Sequence, residues 1–600
     1  MAVRPLNKMG RQAIVKCLIR ARKEGNMKKT KRIFAILLSL AMILTMSIAM
    51  SATVFAVDET PSGALAVDDH ISVKGLQQGD TVSFYKVLEW DNGWKAVAPF
   101  DSLTEAEVEQ ILGKPAEGST PAVASNITAA LAEKIAKLAT GSAKYTAEAN
   151  ASGEAKVETP EAGLYVGTIV PAKTGYVYNP IFVGADYSRT SGTNEWTVDT
   201  ELSYSDTAMA KKADVTVEKS GTDTTGTIDT NSNETVSVGD TVTFTVKTTI
   251  PEFADNYTHP VFKVSDALST GLQLQTGTIK VYPAATATGT PLIAGDDTYK
   301  LNPAATTSGF TVEFTETYIK ALTANQPITI TYDAKVTSDA TTSVNPEDNT
   351  VTVNFSNDPS DSEGHGELKD KTEHYSFTID GNLTGSSGKK VTEIVKVGVD
   401  ETGQEIQEKR VICDDVEVGA LENAVFKLYK SEAGARNQDA NDLYTNDKFN
   451  GTVTSDIDGR MLMKGLDAGT YWLKETSAPA GYIAAVDPVK IEIIPTFEEA
   501  HETAEEKAQG IEYTYQKLTS YIVKINGQET ASFSLDNAGT WTVEEKITED
   551  SDIGKVKNTK GTELPATGGI GTVIFYVLGA ALVIGCGVVL VSRRRMQNNK

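Results

Sequence analysis

The sequence predicts a mainly β protein, a tandem row of immunoglobulin-like β-sandwich modules with a signal peptide before it and a C-terminal transmembrane helix after it. Three observations carry that reading. Segments such as Thr81-Val82-Ser83-Phe84-Tyr85-Lys86-Val87, Thr241–Lys247 and Ile328-Thr329-Ile330-Thr331-Tyr332 alternate apolar and polar residues with period two. Turns rich in Gly, Asp, Asn and Ser separate them. The 600 residues exceed one sandwich and imply three or four modules.

The chain begins with a targeting pattern. Met27 opens the basic stretch Lys28-Lys29-Thr30-Lys31-Arg32, an apolar run follows to about Met50, and Val54 and Ala56 occupy the −3 and −1 positions of a cleavage site. A charged head, apolar middle and small-residue exit read as a secretory signal cut between Ala56 and Val57, the alternative being a retained anchor. Residues 1–26 form an upstream extension, and translation is expected to start at Met27.

Residues 57–205 are read as the first sandwich, with inserted helices: within Ala122–Thr140, Ile127, Leu131, Ile135 and Leu138 recur at helical spacing and are expected to pack on it. Residues 206–213 read as a linker, 214–358 as a second module, 359–374 as another linker and 375–560 as a third module. Asn357-Asp358-Pro359-Ser360-Asp361-Ser362-Glu363-Gly364 supplies the polar break. Residues 571–592 are apolar and long enough to span a bilayer, with the basic tail 593–600, led by Arg593-Arg594-Arg595, held inside.

Charge and cysteine content narrow the class. The chain has 56 Lys+Arg and 80 Asp+Glu; residues 1–56 hold 11 and 1 of these, and 568–600 hold four and none, so residues 57–567 carry net −38. That balance argues against nucleic acid or an anionic bilayer as partner and reads as solubility and mutual repulsion. Cys17 precedes the cleavage site and Cys586 lies in the apolar helix, so Cys413 alone remains and no internal disulfide can form. Five scattered histidines offer no metal site, and no cofactor is expected. Asp456-Ile457-Asp458-Gly459 is only faintly like a calcium loop and reads as a β-turn.

An internal repeat links the two ends of the row. Ala468-Gly469-Thr470-Tyr471-Trp472-Leu473-Lys474-Glu475 runs on to Gly481-Tyr482, and Ala162-Gly163-Leu164-Tyr165 runs on to Gly175-Tyr176 over the same length. Glu475 in one copy corresponds to Ile169 in the other.

Leu564-Pro565-Ala566-Thr567-Gly568, ahead of the apolar stretch and the arginines, resembles the LPXTG sorting signal of Gram-positive cell-wall proteins. The resemblance implies that a sortase cuts between Thr567 and Gly568 and passes the threonine acyl group to an amine. Tyr471–Tyr482 resembles the E-box of collagen-adhesin B-type modules. Together the chain resembles sortase-assembled backbone pilins, with an A-type module at 214–358 and a B-type module at 375–560. That family implies a structural shaft subunit, not an enzyme, secreted, attached to the wall and extending as a pilus. Its partners would be sortases, other copies of itself and peptidoglycan, with room for minor pilins and host surface ligands. A monomeric wall-anchored adhesin using the modules as a stalk is the alternative.

In that family a lysine on a module's first strand and an asparagine on its last form a spontaneous isopeptide bond, promoted by a buried acid. The resemblance assigns Lys219, Asp266 and Asn349 to the middle module, and Lys396, Glu475 and Asn558 to the third. The chemistry needs these types: burial lowers the amine's pKa so that it can attack, and keeps the acid protonated to polarise the amide. Any one such lysine or asparagine is otherwise an ordinary solvated side chain. Ile169 cannot polarise a carbonyl, so no bond is expected in the first sandwich. The family also uses an acceptor lysine, often in Tyr-Pro-Lys-Asn. Here, past Trp196 and Tyr204, Ser205-Asp206 stands where Pro-Lys would be, and Lys211 and Lys212 are the candidates.

Overall fold

The structure is a computed structural model, and it describes residues 70–561, apart from 91–93, 113–126, 159, 162, 186–205, 225–233, 255, 341–344, 360–365, 382–389 and 413–415, together with residues 570–597. The signal and its cleavage site at Ala56 and Val57, Trp196 and Tyr204, Cys413 and the Leu564–Gly568 motif lie outside the described residues.

Period-two alternation becomes sheet wherever one face can be buried. In the first module Thr81–Trp90 pairs with Gly163–Val170, which pairs with Ile181–Ala185. Val82, Phe84, Tyr165 and Tyr178 form one core, while Val87, Leu88 and Leu164 form another with the helix Ala129–Leu138, through Leu131 and Ile135. The helical stripe therefore packs on the first sandwich, as its spacing predicts. Thr128 caps that helix by accepting the Leu131 N–H.

The middle module is two facing sheets around one core. Val217–Asp223, Thr241–Ile250, Gln326–Val336 and Leu272–Leu274 follow one another in the first sheet, with Lys280–Tyr282 also on Gln326–Val336. The second runs Tyr299–Leu301, Gly309–Phe314, Phe262–Leu268, Glu347–Phe355, Gly366–His374. In the third module a seven-stranded sheet holds Gly469–Ser477 near its centre. Val395–Val399 and Lys555–Thr559 form a separate parallel pair. The sequence between residues 395 and 420 makes its own small core of Val395, Val397, Val399, Ile412, Val418 and Ala420 with Ile547.

Two stretches expected as linkers are strands. Gly366–His374 pairs along its whole length with Glu347–Phe355, so the middle module extends to His374. Its alternation is masked by charge: in GELKDKTEH the buried positions include Asp370, Glu373 and His374. Thr207–Met209 pairs in parallel with His70–Lys74, and Lys212–Asp214 pairs with Tyr176–Tyr178, so the 206–213 stretch is woven into the first module. Segments this short carry no periodic signal; their partners lie far away in sequence.

The modules are joined by more than chain. Thr174 and Glu367 exchange hydrogen bonds of 2.7 Å between the first and middle modules. Val236 and Tyr375, and Val238 and Gly465, join backbones between the middle and third. A long hairpin of the third module, Val489–His501 with Thr514–Ile525, carries the short helix Ala504–Ala508 at its tip. It runs beside Gly366–His374, where Lys371 lies 4.0 Å over the Tyr515 ring, and Gly510 comes against Lys173 of the first module. At the C-terminus the helix Ile570–Gln597 contains Tyr576–Met596, a stretch with mean hydropathy 2.0, long and apolar enough to cross a membrane.

Candidate functional site: two buried lysine–acid–asparagine sets

Each predicted reactive residue occupies a core position in its strand. In Val217–Asp223 the inward residues are Lys219 and Gly221; in Phe262–Leu268 they are Phe262, Val264, Asp266 and Leu268. In Glu347–Phe355 every second residue from Glu347 points inward, Asn349 among them. The alternation that would place an apolar side chain in the core instead places an amine, a carboxyl and an amide. The structure brings all three together. Lys219 Nζ donates a short hydrogen bond to Asp266 Oδ2, and both side chains are fully buried. Phe244 covers the amine at 5.1 Å from its ring centre.

A fourth residue joins this set that the sequence places only in a strand. The Tyr332 hydroxyl accepts from Lys219 Nζ at 2.6 Å and from Asn349 Nδ2 at 2.8 Å. Asp266 Oδ1 and Asn349 Oδ1 are buried without a hydrogen-bond partner. Asp370 accepts the Lys219 backbone N–H at 2.6 Å, and burial pushes its carboxyl up to about 6. Tyr332 could have been found from its own strand: Ile328, Ile330 and Tyr332 share the inward face, and a buried phenol requires a polar partner.

The third module repeats the set on another scaffold. Lys396 and Asn558 lie on the neighbouring parallel strands Val395–Val399 and Lys555–Thr559, and Glu475 reaches them from Gly469–Ser477. Lys396 Nζ donates to Asn558 Oδ1 at 2.5 Å and to Glu475 Oε2 at 3.3 Å, and Asn558 Nδ2 donates to Glu475 Oε1 at 2.6 Å. Glu475 Oε2 also accepts the Ala485 N–H at 2.8 Å. Phe426 lies 5.4 Å from the amine.

Electrostatics favour neutral reactants. Burial pulls the Lys219 amine down, against the opposing pull of Asp266, and pushes the Asp266 carboxyl up. Burial likewise lowers Lys396 to about 8, with Glu475 opposing. Sequestered ions cost several kcal/mol each, so burial of Lys219 beside Asp266 favours the form with the proton on oxygen. An uncharged amine next to an amide whose carbonyl a protonated acid can polarise is equipped for amide exchange.

In the first module Ile169 is packed in the apolar core. The buried Asp80 nearby accepts from Tyr178 Oη at 2.7 Å and from the N–H groups of Gln77 and Ala172. The sequence repeat is visible as geometry: Tyr165 Oη donates to the carbonyl of Glu161 at 2.6 Å, and Tyr471 Oη to that of Asp467 at 2.9 Å, each four residues upstream. Of the acceptor candidates, Lys212 is part-exposed, 3.3 Å from Asp214 and 4.0 Å over the Tyr176 ring. The Lys211 carbonyl accepts the Asn179 N–H. Asp456 closes a tight turn by accepting from the N–H groups of Asp458 and Arg460.

Comparison with known proteins agrees with these signatures. The SpaA family model, a prealbumin-like fold domain, matches residues 410–508, and the LPXTG cell wall anchor motif matches 556–598. The chain is 24% identical over 582 residues to the trypsin-resistant surface T6 protein of Streptococcus pyogenes serotype M6, covering 89% of this chain and 97% of that protein. Among solved structures it is similar to the T6 backbone pilin of serotype M6 Streptococcus pyogenes, at 19% identity and TM-score 0.49, covering 83% of this chain and 100% of that one. The full-length major pilin SpaD of Corynebacterium diphtheriae matches at 18% identity and TM-score 0.41, covering 82% of this chain and 98% of that one. The chain thus carries a SpaA-type domain and an LPXTG cell wall anchor motif, and along most of its length it is similar to the T6 surface protein.

Proposed function

We propose that the chain is the shaft subunit of a covalent surface pilus, cross-linked internally by Lys219–Asn349 and Lys396–Asn558 isopeptide bonds. The observation that carries this is the pair of fully buried lysine–acid sets, one bonded directly to the amide of Asn558 and the other linked to that of Asn349 through the Tyr332 hydroxyl, in a chain with a wall-anchor motif. Two buried lysines with carboxyl partners would be a costly way to build an apolar core, and replacement by hydrophobic residues would serve stability as well. As reactants they join distant strands covalently, which suits a fibre loaded along its length.

Within that reading a sortase cuts after Thr567 and transfers its acyl group to an amine of the next copy, or finally to peptidoglycan. Lys211 and Lys212 are the acceptors, lying between the first core and the middle module and far along the chain from Thr567. Lys212, on a short edge strand, is open to an acyl-enzyme. Minor pilins and host surface ligands would attach to such a shaft. Boiled wall extracts should show a high-mass ladder by immunoblot, and Lys211→Ala with Lys212→Ala should abolish it while leaving folded, wall-linked monomer. A ladder in the double variant moves the acceptor elsewhere; a wild type with one wall-linked band makes the protein a monomeric adhesin.

A further inference from the structure

The two sets differ in what touches the nitrogen that must leave. Bond formation converts Lys–NH2 and Asn–CONH2 into Lys–NH–CO–Asn and NH3: the C–N bond to Asn Nδ2 breaks, one to Lys Nζ forms, and one proton passes from Nζ to Nδ2. In the third module the acid spans both nitrogens by itself, with Oε2 at 3.3 Å from Lys396 Nζ and Oε1 at 2.6 Å from Asn558 Nδ2. In the middle module Asp266, one methylene shorter, meets Lys219 Nζ through Oδ2, while its Oδ1 has no hydrogen-bond partner. The group bonded to both nitrogens there is the Tyr332 hydroxyl, at 2.6 Å and 2.8 Å.

We infer that Tyr332 is a catalytic residue of the middle module, its hydroxyl relaying the proton from the attacking Lys219 amine to the departing Asn349 nitrogen. The assignment rests on the bond-forming reading above. A planar amide nitrogen has no basic lone pair, so before reaction Nδ2 can only donate to the phenol oxygen, as observed. Attack by Nζ makes the carbon tetrahedral and frees a lone pair on Nδ2. The phenol then gives its own proton to that lone pair as its oxygen takes one from Nζ, and no phenolate accumulates. Burial holds the phenol protonated well beyond neutral pH, which suits a hand-off of this kind. Asp266 is left to polarise the Asn349 carbonyl. Packing fixes the aromatic body in place, since it stacks on Phe244 at 5.3 Å and meets Phe310 edge-on at 4.9 Å. Thus an aspartate and a tyrosine share what a glutamate does alone.

The test follows the two cross-links separately in full-length chain made in its host, released from the wall and digested after a pulse label. The Lys396–Asn558 link serves as internal control. Tyr332→Phe keeps the ring and removes the relay, so the Lys219–Asn349 link should form at least ~100-fold more slowly, within the usual range for loss of an acid–base group. Asp266→Glu with Tyr332→Phe, which lengthens the acid to span both nitrogens, should restore it. Formation of the link at the wild-type rate in Tyr332→Phe overturns the relay, as does a folded double variant with no recovery. Absence of the link in the wild type overturns instead the reading on which the relay rests. Should Tyr332→Phe fail to fold, Glu475→Asp in the third module decides: that site holds no tyrosine on either nitrogen among the described residues, so its link should be lost, and retention at the wild-type rate overturns the argument from acid length.

Discussion

The middle and third modules reach the same three reactive groups by different routes. In the middle module the lysine strand lies in one sheet and the acid and asparagine strands in the other, so a bond from Lys219 to Asn349 crosses the sandwich. In the third, Lys396 and Asn558 sit on adjacent parallel strands and only the acid comes from another sheet. Where the bond crosses the core, the amine is walled in by Phe244 and Tyr332 and bound to Asp266. Where it joins neighbours, the lysine already donates to the carbonyl oxygen of its target amide. The difference teaches that the chemistry fixes the residue types and their contact, while the strand order is free.

The strongest way to break the comparison is to remove each acid. Soluble recombinant 57–563 should weigh about 34 Da less than its sequence, one ammonia of about 17 Da for each bond. Asp266→Ala should recover one ammonia and Glu475→Ala the other, read by intact-mass spectrometry. Each variant should also lose about 4–5 kcal/mol of stability in its own module, the value expected for opening a closed loop of this length. Separate melting transitions of the two modules would show it. Full mass in the wild type would refute both cross-links together.

A second test sharpens the contrast through pH. Burial lowers the Lys396 amine to about 8, and only the neutral amine can attack. Refolding an unreacted chain should therefore form the third-module bond about tenfold faster for each pH unit up to about 8 and at a level rate above it. The mass loss against time at several pH values reads this directly; a rate that stays level between about pH 6 and 8 would show that the charge on the amine does not limit the step.

The smallest expected effect concerns Asp370. Its carboxyl accepts the Lys219 backbone N–H, a role with no counterpart described at Lys396, whose N–H is taken by the Gly459 carbonyl. Asp370→Ala leaves a buried donor unmet and should destabilise the middle module by about 1–3 kcal/mol while the bond still forms. Denaturant unfolding of the cross-linked protein would measure it.

Sequence and structure part company along a physical line. Lys219, Asp266, Asn349, Lys396, Glu475 and Asn558 are legible because the short segments around them resemble the family's motifs, and all six are buried. Tyr332 is legible only as an inward position in need of a polar partner, and Asp370 not at all, since which groups they meet depends on which strands pair across the module. The same reason hides the strand Gly366–His374, whose inward positions carry Asp370 and His374 where an apolar residue would have announced it. Thr207–Met209 and Lys212–Asp214 are too short to alternate and acquire their form from the first module's edges.

The strand Gly366–His374 has a mechanical meaning. It follows Asn349 and precedes Lys396, so in the cross-linked chain it lies outside both closed loops. Pulled between Lys212, the acceptor proposed above, and Thr567, such a chain transmits tension through two segments that cannot lengthen, and between them through one held only by hydrogen bonds and packing. Antiparallel pairing with Glu347–Phe355 puts the exit of that segment where its bonds peel one after another. Drawn straight, the chain from Asn349 to Lys396 would span at most ~160 Å. The shaft would then yield by reversible extension at this one place, with the long hairpin against Gly366–His374 acting as the brake that must slide away first.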